Sequence, residues 1–432
     1  MRRWAVLCLA LLLGGLGAPA AAQSDSLDAI ARDYVQLQLE IGARDEGYVD
    51  AYYGPAEIRA EATAHPRSVE QLQAAAVALQ RRLNAVAAPG IAARRRAFLA
   101  AQLIAAHTRL QMVRGERLSF VDEARGLYGV NLEALLHPLE HYDPVLARIG
   151  RLVPGSGPLA ERVERFMERF TIPRDRLDAV MRAAIAECRR RTMAYIPMPR
   201  GEAFTLEFVT NQPWSGYNWY QGNYQSLIQV NTDQPARLSR AVDLGCHEGY
   251  PGHHVYNMLL EQNLTRARGW VEFQVYPLYS PQSLIAEGSA NYGIELAFPR
   301  DDRLRFETQV LYPLAGLSSR GAGAYLALQQ AMDALSGARF TIARDLLEGR
   351  ITRDQAIDLA QRYQLMTRSR AEQSVRFTER YRAYVINYGL GRDMVAAYVE
   401  RAGRTPYVRW MAMRRLLSEP MLPVDLLPDA GR

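Results

Sequence analysis

The chain has 432 residues, of which 49% are hydrophobic and 23% charged, and a formal net charge of +6. This composition is typical of a folded globular protein and excludes a disordered chain. Every basic residue is arginine. The clusters Arg94–Arg96 and Arg189–Arg191 lie in helical patterns without interleaved aromatic residues, which argues against nucleic-acid binding. We expect them on solvated helix faces, paired with acids.

The first 22 residues have the layout of a secretory signal peptide. Met1–Arg3 is a short basic start, Trp4–Leu16 is apolar, and Ala20–Ala22 provides small residues before a cleavage point. The apolar stretch is shorter than the ~20 residues needed to span a membrane. Cys8 lies inside this stretch rather than at its end, which is not the pattern of a lipoprotein cleavage site. We expect a bacterial protein exported to the periplasm or the medium, without stable membrane insertion.

Two cysteines remain after the signal peptide, Cys188 and Cys246. An exported protein can pair its cysteines. However, Cys188 lies in a helical pattern beside an arginine run, and Cys246 directly precedes a histidine cluster. One pair does not make a disulfide framework. We therefore expect two free, buried or half-buried thiols.

Apolar residues recur at helical spacing through most of the chain, which predicts a mainly α fold. Alanine and arginine, both good helix formers, are abundant. We expect an N-terminal helical region over 23–200 that covers a cleft, and a catalytic region over 201–432. A single continuous domain over 23–432 is the alternative. The predicted helices cover 26–42, 68–86, 91–112, 163–170, 174–195, 304–335, 342–347, 353–363, 368–384, 394–402 and 407–418.

One region breaks the helical pattern. Residues 203–210 and 225–231 form β-like runs, joined by a piece rich in Gly and Asn that we interpret as a turn or loop. This predicts a small β-hairpin or sheet next to the active-site helix. The run 225–231 is either a structural hairpin strand or an edge to which an extended peptide adds. The aromatic residues of the joining piece either line a substrate cleft or pack; they are Trp214, Tyr217, Trp219 and Tyr220.

Three of the seven histidines fall within the eight residues 247–254, in the order His-Glu-Gly-Tyr-Pro-Gly-His-His. Neutral imidazole is the commonest protein ligand for metals. Glu248 follows the first histidine, as in the helical motif where two histidines bind zinc and a glutamate is the general base. The pattern therefore predicts a catalytic zinc site.

The spacing departs from that motif because Pro251 occupies the position of the second histidine. Proline clashes with the carbonyl four residues earlier, and Gly252 tolerates unusual backbone angles. A kink or bulge here would bring His253 to the position of the second ligand. We therefore assign His247 and His253 as ligands, with His254 near the metal or facing the substrate.

A catalytic zinc site needs a third protein ligand and an open position for water. Our first choice is Glu287, at the start of a helical pattern 40 residues after His247. Taken alone, Glu287 would be an acid favoured by the dipole of a helix N-terminus. Glu295 is the second choice and Asp243 a weaker one.

The histidine motif, followed by Glu-Gly-x-Ala-x-Tyr from Glu287, resembles the bacterial DUF885 family, which is grouped with gluzincin-type metallopeptidases. The resemblance extends over most of the mature chain and implies a large helical metallopeptidase-like fold with a deep cleft. It also implies zinc held by His247, His253 and Glu287, and hydrolysis of peptides. Ser289 and Asn291 stand where the family often has Trp and Leu, which bears on substrate preference.

In the predicted reaction Glu248 takes a proton from water and passes it to the leaving amine. The developing oxyanion needs a second electrophile. The candidates are His254, Tyr381, Tyr384 and Tyr388, although tyrosines at this spacing also pack in cores.

Two alternatives to a peptidase stay open. One is a zinc amidase or esterase acting on a non-peptide or cell-wall substrate, because the same groups would serve. The other is a catalytically silent metal-binding protein, although metal storage does not need a glutamate at position 248. A di-iron bundle is excluded because paired Glu-x-x-His motifs are absent from the sequence. No feature predicts an oligomeric state.

Overall fold

The computed structural model describes residues 26–212 and 214–428. The predicted signal peptide, residues 1–22, lies outside the described residues. Within the described part, no helix combines the length and the apolar character that a membrane span requires.

Most of the described chain is α-helical, so the prediction of a mainly α fold is confirmed. Several helices begin where a side chain accepts a hydrogen bond from the first turn. Ser68 and Thr352 do so as members of capping boxes. The helices are α1 Leu27–Gly42, α2 Ala56–Ala64, α3 Val69–Ala85, α4 Ile91–Val113, α5 Phe120–Tyr128, α6 Asp143–Leu152, α7 Leu159–Glu168, α8 Leu177–Met193, α9 Leu238–Leu244, α10 His253–Leu260, α11 Pro281–Ala297, α12 Arg300–Phe306, α13 Tyr312–Ala315, α14 Ala322–Asp333, α15 Ser336–Leu347, α16 Arg353–Tyr363, α17 Arg368–Tyr381, α18 Ile386–Ala402 and α19 Pro406–Ser418.

The prediction of one continuous helix over 304–335 is wrong. The chain passes from α12 through a π-helical turn, Glu307–Leu311, into the short α13. Gly316 then adopts the left-handed conformation, with φ of 66°, and ends α13. A left-handed glycine is a common helix terminator because it lacks the Cβ that disfavours this conformation. A new helix, α14, begins at Ala322.

The strands form two small sheets in the described part of the chain. The strands are β1 Val49–Tyr52, β2 Ala203–Val209, β3 Gly216–Gly222, β4 Gln225–Asn231 and β5 Val275–Pro277. One sheet pairs β1 with β5, and the other has the order β2-β4-β3. β4 runs parallel to β2 and antiparallel to β3.

This topology corrects two expectations. The piece between the two predicted runs is not only a turn, because it contains β3. Its tight turn to β4 uses Asn223 and Tyr224, both at positive φ, as a two-residue hairpin turn requires. The strand 225–231 cannot accept an added peptide strand, because β4 is central and both its edges are already paired.

The buried hydrophobic residues form two clusters, and each draws on both sides of position 200. One cluster packs Leu99 and Leu103 of α4 with Leu284 of α11 and Phe340 of α15. The other includes α8, the three-stranded sheet and the elements around the histidine motif. The division at position 200 stays a prediction.

The expectation of two free thiols is wrong. Cys188 of α8 and Cys246 form a disulfide, with a Cα–Cα distance of 5.4 Å. The pairing arises because α8 packs directly against the segment that carries Cys246. The bond closes a loop with a sequence separation of 58 residues. It therefore ties the region before the sheet to the histidine motif.

Candidate metal centre

The histidine motif is a break between two helices. Helix α9 continues into a π-helical turn, Gly245–Gly249, and α10 begins at His253. The Tyr250–Pro251 peptide bond between them is cis, and the Gly252 N–H donates to the Cys246 carbonyl at 2.9 Å. The backbone is thus distorted at Pro251 and Gly252, where the sequence predicts it. Nε2 of His253 lies 3.1 Å from Nε2 of His247.

Glu287 of α11 completes a cluster of three donor atoms. Its Oε2 lies 3.3 Å from Nε2 of His247 and 3.8 Å from Nε2 of His253. This oxygen is buried and has no hydrogen-bond partner, as expected for an atom whose partner is an ion. Tetrahedral zinc with ligand distances of 2.0–2.1 Å separates its donors by about 3.3 Å. The three side chains therefore fit a metal ion of this kind.

Two close approaches at glycines hold α11 in place. A Cβ on Gly288 would lie 2.4 Å from the carbonyl of Gly391, so α11 and α18 cross at these glycines. A Cβ on Gly293 would lie 2.8 Å from Cγ of Pro251. Helix α11 therefore packs directly on the distorted segment, and this contact positions Glu287 beside the histidines.

The pKa values within the cluster follow from burial and from the mutual charges. Burial alone would raise the pKa of Glu287, but His247, His253 and Tyr384 hold it below its ordinary value. Burial lowers the pKa of His253 to about 4, with His247 adding to the effect. The pKa of His247 is raised, because Glu248 and Glu287 outweigh its burial. His253 is thus neutral at pH 7, the form that binds metal.

Glu248 lies in the same cavity as the three donors, next to His247. Burial raises its pKa to about 7, with His247 opposing and Glu287 adding to the shift. The Glu248 carboxylate has room beside β3 because residue 216 is a glycine. A Cβ on Gly216 would lie 2.8 Å from Glu248 Oε1. The Asn218 side chain donates to the Glu248 carbonyl at 2.6 Å and fixes the backbone. A carboxyl with a pKa near neutrality is suited to exchange protons at neutral pH.

His254 is fully buried and does not line the cavity. Its Nδ1 lies 2.8 Å from Ser226 Oγ, and its Nε2 lies 2.9 Å from Glu202 Oε1. Glu202 also accepts hydrogen bonds from Tyr250 and Arg189. The structure therefore places His254 in a polar network that ties α10 to β4 and α8, outside the lining of the cavity.

All three tyrosines proposed as electrophiles line the cavity, and one of them contacts the cluster. The Tyr384 hydroxyl donates to Glu287 Oε1 at 2.6 Å. Tyr388 lines the cavity, and burial raises its pKa well above the ordinary value, with Glu287 adding to the shift. Tyr381 also lines the cavity.

Glu295 and Asp243, the second and third choices for a metal ligand, form ion pairs with arginines instead. Glu295, two turns after Glu287 on α11, forms an ion pair with Arg392 at 2.5 Å. Asp243 lines the cavity but pairs with Arg303 at 2.9 Å. Neither belongs to the cluster of donor atoms.

The cavity around the cluster has a volume of about 730 Å³, a size typical of ligand sites. Of the four aromatic residues expected there, Trp214 and Tyr217 line it. Trp219 is 47% exposed and does not. Tyr220 is buried and donates its hydroxyl to Glu261.

Sequence reasoning missed a further carboxyl in this cavity, Asp50 of β1. Burial raises the pKa of Asp50 to about 7, while a hydrogen bond from Tyr217 opposes the shift. The Tyr217 hydroxyl donates to Asp50 Oδ1 at 3.2 Å. No motif surrounds Asp50, and the packing of β1 between distant segments, paired with β5 and in contact with β3, brings it to the site.

Comparisons with known proteins support the fold but not a family. No protein-family model matches the chain, and no curated protein does. A crystal structure of a "putative lipoprotein" from Colwellia psychrerythraea is similar, with a TM-score of 0.50 and 16% identity over 82% of this chain and 67% of that one. A "putative lipoprotein of unknown function" from Shewanella oneidensis has a TM-score of 0.45 and 13% identity over 92% of this chain and 74% of that one. An M32 carboxypeptidase from Deinococcus radiodurans R1 has a TM-score of 0.40 and 13% identity over 90% of this chain and 88% of that one.

Proposed function

We propose that this protein is an exported, zinc-dependent peptidase of the DUF885 type. The observation that carries the proposal is the unpartnered oxygen of Glu287, buried beside the Nε2 atoms of His247 and His253. Two histidines, one carboxylate and an open cavity are the donor set of a catalytic zinc site. Zinc in such a site lowers the pKa of water and polarises a carbonyl group.

The chain's own residues supply the proton transfers. Glu248 lines the cavity, and its pKa of about 7 suits a base that takes a proton from water and returns it to the leaving amine. Tyr384 donates to Glu287, so its role is to orient this carboxylate. Tyr388 lines the cavity, and its hydroxyl forms no hydrogen bond within the described residues, so it is our candidate donor to the oxyanion of the tetrahedral intermediate.

Export is supported by the signal-peptide pattern of residues 1–22 and by the Cys188–Cys246 disulfide. Disulfides persist in oxidising compartments and are rare in the cytosol.

The test is a mass-spectrometric digest of a mixed peptide library by the purified, zinc-loaded protein. We expect cleavage, and a loss of at least about 100-fold in rate for Glu248→Gln at unchanged zinc content. Glu207→Gln, an exposed carboxylate of β2, is the control and should cleave like the wild type. Cleavage that survives in Glu248→Gln, or its absence with fully loaded wild-type protein, would contradict the proposal.

A further inference from the structure

The cavity contains a cation without an acidic partner. Arg339 of α15 lines the cavity together with His247 and Glu248. Its Nε atom is buried and has no hydrogen-bond partner, and its guanidinium forms no ion pair with a carboxylate of the described residues. Arg303, which is also buried, differs because it pairs with both Asp243 and Glu307.

Two aromatic rings hold Arg339 in place. Its Cζ lies 5.2 Å from the ring centroid of Phe377 and 5.8 Å from that of Tyr388. Cation–π attraction does not require hydrogen bonds from the guanidinium, and the Arg339 side chain donates none to the described residues. The donors therefore stay available to a ligand. Arg339 is half-buried, and a charge that is partly withdrawn from water without a partner costs free energy, so a ligand that supplies the opposite charge explains the position.

A short series of contacts connects Arg339 to the cluster of metal-donor residues. Its neighbour Tyr388 has its ring centroid 5.8 Å from that of Tyr384, and the Tyr384 hydroxyl lies 2.6 Å from Glu287 Oε1. An extended peptide advances about 3.3–3.6 Å per residue. Only a few residues of a substrate would therefore separate a group at Arg339 from a carbonyl at the metal cluster.

We propose that Arg339 binds a carboxylate of the substrate, within a few residues of the bond that is cleaved. This assignment rests on the proposed peptidase function. The planar fork of a guanidinium matches a carboxylate, and the pair is frequently bidentate. In a peptide this carboxylate is either the C-terminal one or an acidic side chain. Binding it positions the scissile bond, which makes the enzyme selective for short or acidic peptides.

Four matched peptides distinguish the two sources of the carboxylate, the C-terminus and an acidic side chain. They share one sequence and differ in having a free or amidated C-terminus, and Glu or Gln at one position. We expect the wild type to favour one carboxylate by about 10- to 100-fold in kcat/KM, mainly through KM. Arg339→Gln should reduce this preference to near unity. Equal rates for all four peptides with the wild type, or an unchanged preference in Arg339→Gln, would overturn the assignment.

Two further variants test the position and the geometry. Arg370 also lines the cavity without an ion pair in the described part of the chain, so Arg370→Gln is the matched control. The preference should survive in Arg370→Gln. Arg339→Lys keeps the charge but loses the fork, and should retain part of the preference. If the preference is lost in Arg370→Gln and kept in Arg339→Gln, Arg370 and not Arg339 binds the substrate carboxylate.

A binding measurement separates failure of this assignment from failure of the peptidase function. In the Glu248→Gln background, titration calorimetry of the four peptides reports recognition without turnover. The favoured carboxylate should bind about 10-fold or more tightly, and Arg339→Met should abolish the difference. Because Arg339→Met removes an unpartnered charge, its Tm should be unchanged or higher, whereas loss of a structural arginine would lower the Tm. A lower Tm with intact discrimination contradicts the proposal.

Discussion

Gly252 lies against the backbone of His247. A Cβ on Gly252 would be 1.7 Å from the His247 carbonyl oxygen, far inside contact distance. Only glycine can therefore occupy the position where the chain leaves the π-helical turn and enters α10. The close approach also explains how His253 comes next to His247, although proline interrupts the helix between them.

Gly252→Ala should therefore disrupt the metal site. The methyl group forces the backbone of the motif apart, and His247 and His253 lose their common geometry. We expect less than one equivalent of zinc after dialysis, measured by elemental analysis. Gly249→Ala is the matched control, since a Cβ there meets its nearest atoms only at 3.9 Å. One equivalent of zinc retained by Gly252→Ala would contradict this prediction and would show that the metal site forms with a different backbone conformation of the motif.

The role of Glu287 of α11 as the third metal ligand can be tested by substitution. Glu287→Gln keeps the size of the side chain but removes the negative charge that faces the two histidines. Zinc affinity should fall by at least about 100-fold, more than for loss of a residue that only supports a ligand. Glu295→Gln, on the same helix and paired with Arg392, should bind zinc like the wild type. A competition titration with a chromophoric chelator measures both constants.

The local part of this site could be predicted from sequence. Pro251 cannot continue a helix, so the position of a distortion, and with it the choice of His253, follows from neighbouring residues. The distortion depends on short-range steric rules, which a sequence displays directly. Glu287 could be named as a carboxylate in a helical pattern downstream of the motif, but the expected helix start at Glu287 is wrong, because α11 begins at Pro281.

The remaining parts depend on contacts between distant segments. Asp50 reaches the cavity through the pairing of β1 with β5 and the contact of β1 with β3. Arg339 becomes notable only because its guanidinium forms no ion pair within the described part of the chain, and a sequence does not display such an absence. The Cys188–Cys246 bond was missed because helical spacing does not reveal that α8 packs on the π-helical turn.

The two adjacent histidines should respond differently to removal. His253→Ala removes a metal donor and should reduce zinc below one equivalent. His254→Ala removes one hydrogen-bond partner each from Glu202 and Ser226, which costs about 1–3 kcal/mol of stability. It should lower the Tm but retain zinc at saturating metal. Elemental analysis and thermal unfolding of both variants distinguish the roles, and zinc lost only from His254→Ala would reverse them.

Glu202 should make the free energy of unfolding depend on pH at acidic pH. Although burial opposes it, hydrogen bonds from His254, Tyr250 and Arg189 lower the pKa of Glu202 to about 2. A carboxyl whose pKa is lowered by folding stabilises the fold above its unfolded value of about 4.3. This contribution is lost as the pH falls from about 5 toward 2. Its full size is on the order of 3 kcal/mol, because one pKa unit corresponds to about 1.4 kcal/mol.

The measurement is urea unfolding of the wild type and Glu202→Gln between pH 7 and 2.5. The difference in the free energy of unfolding should be constant above about pH 5 and should shrink steadily below it. The metal ligands titrate in both proteins, so the difference between the two curves isolates Glu202. Glu207→Gln, exposed on β2, should follow the wild-type curve. A difference for Glu202→Gln that stays constant down to pH 2.5 would mean that the network does not hold a charged carboxylate.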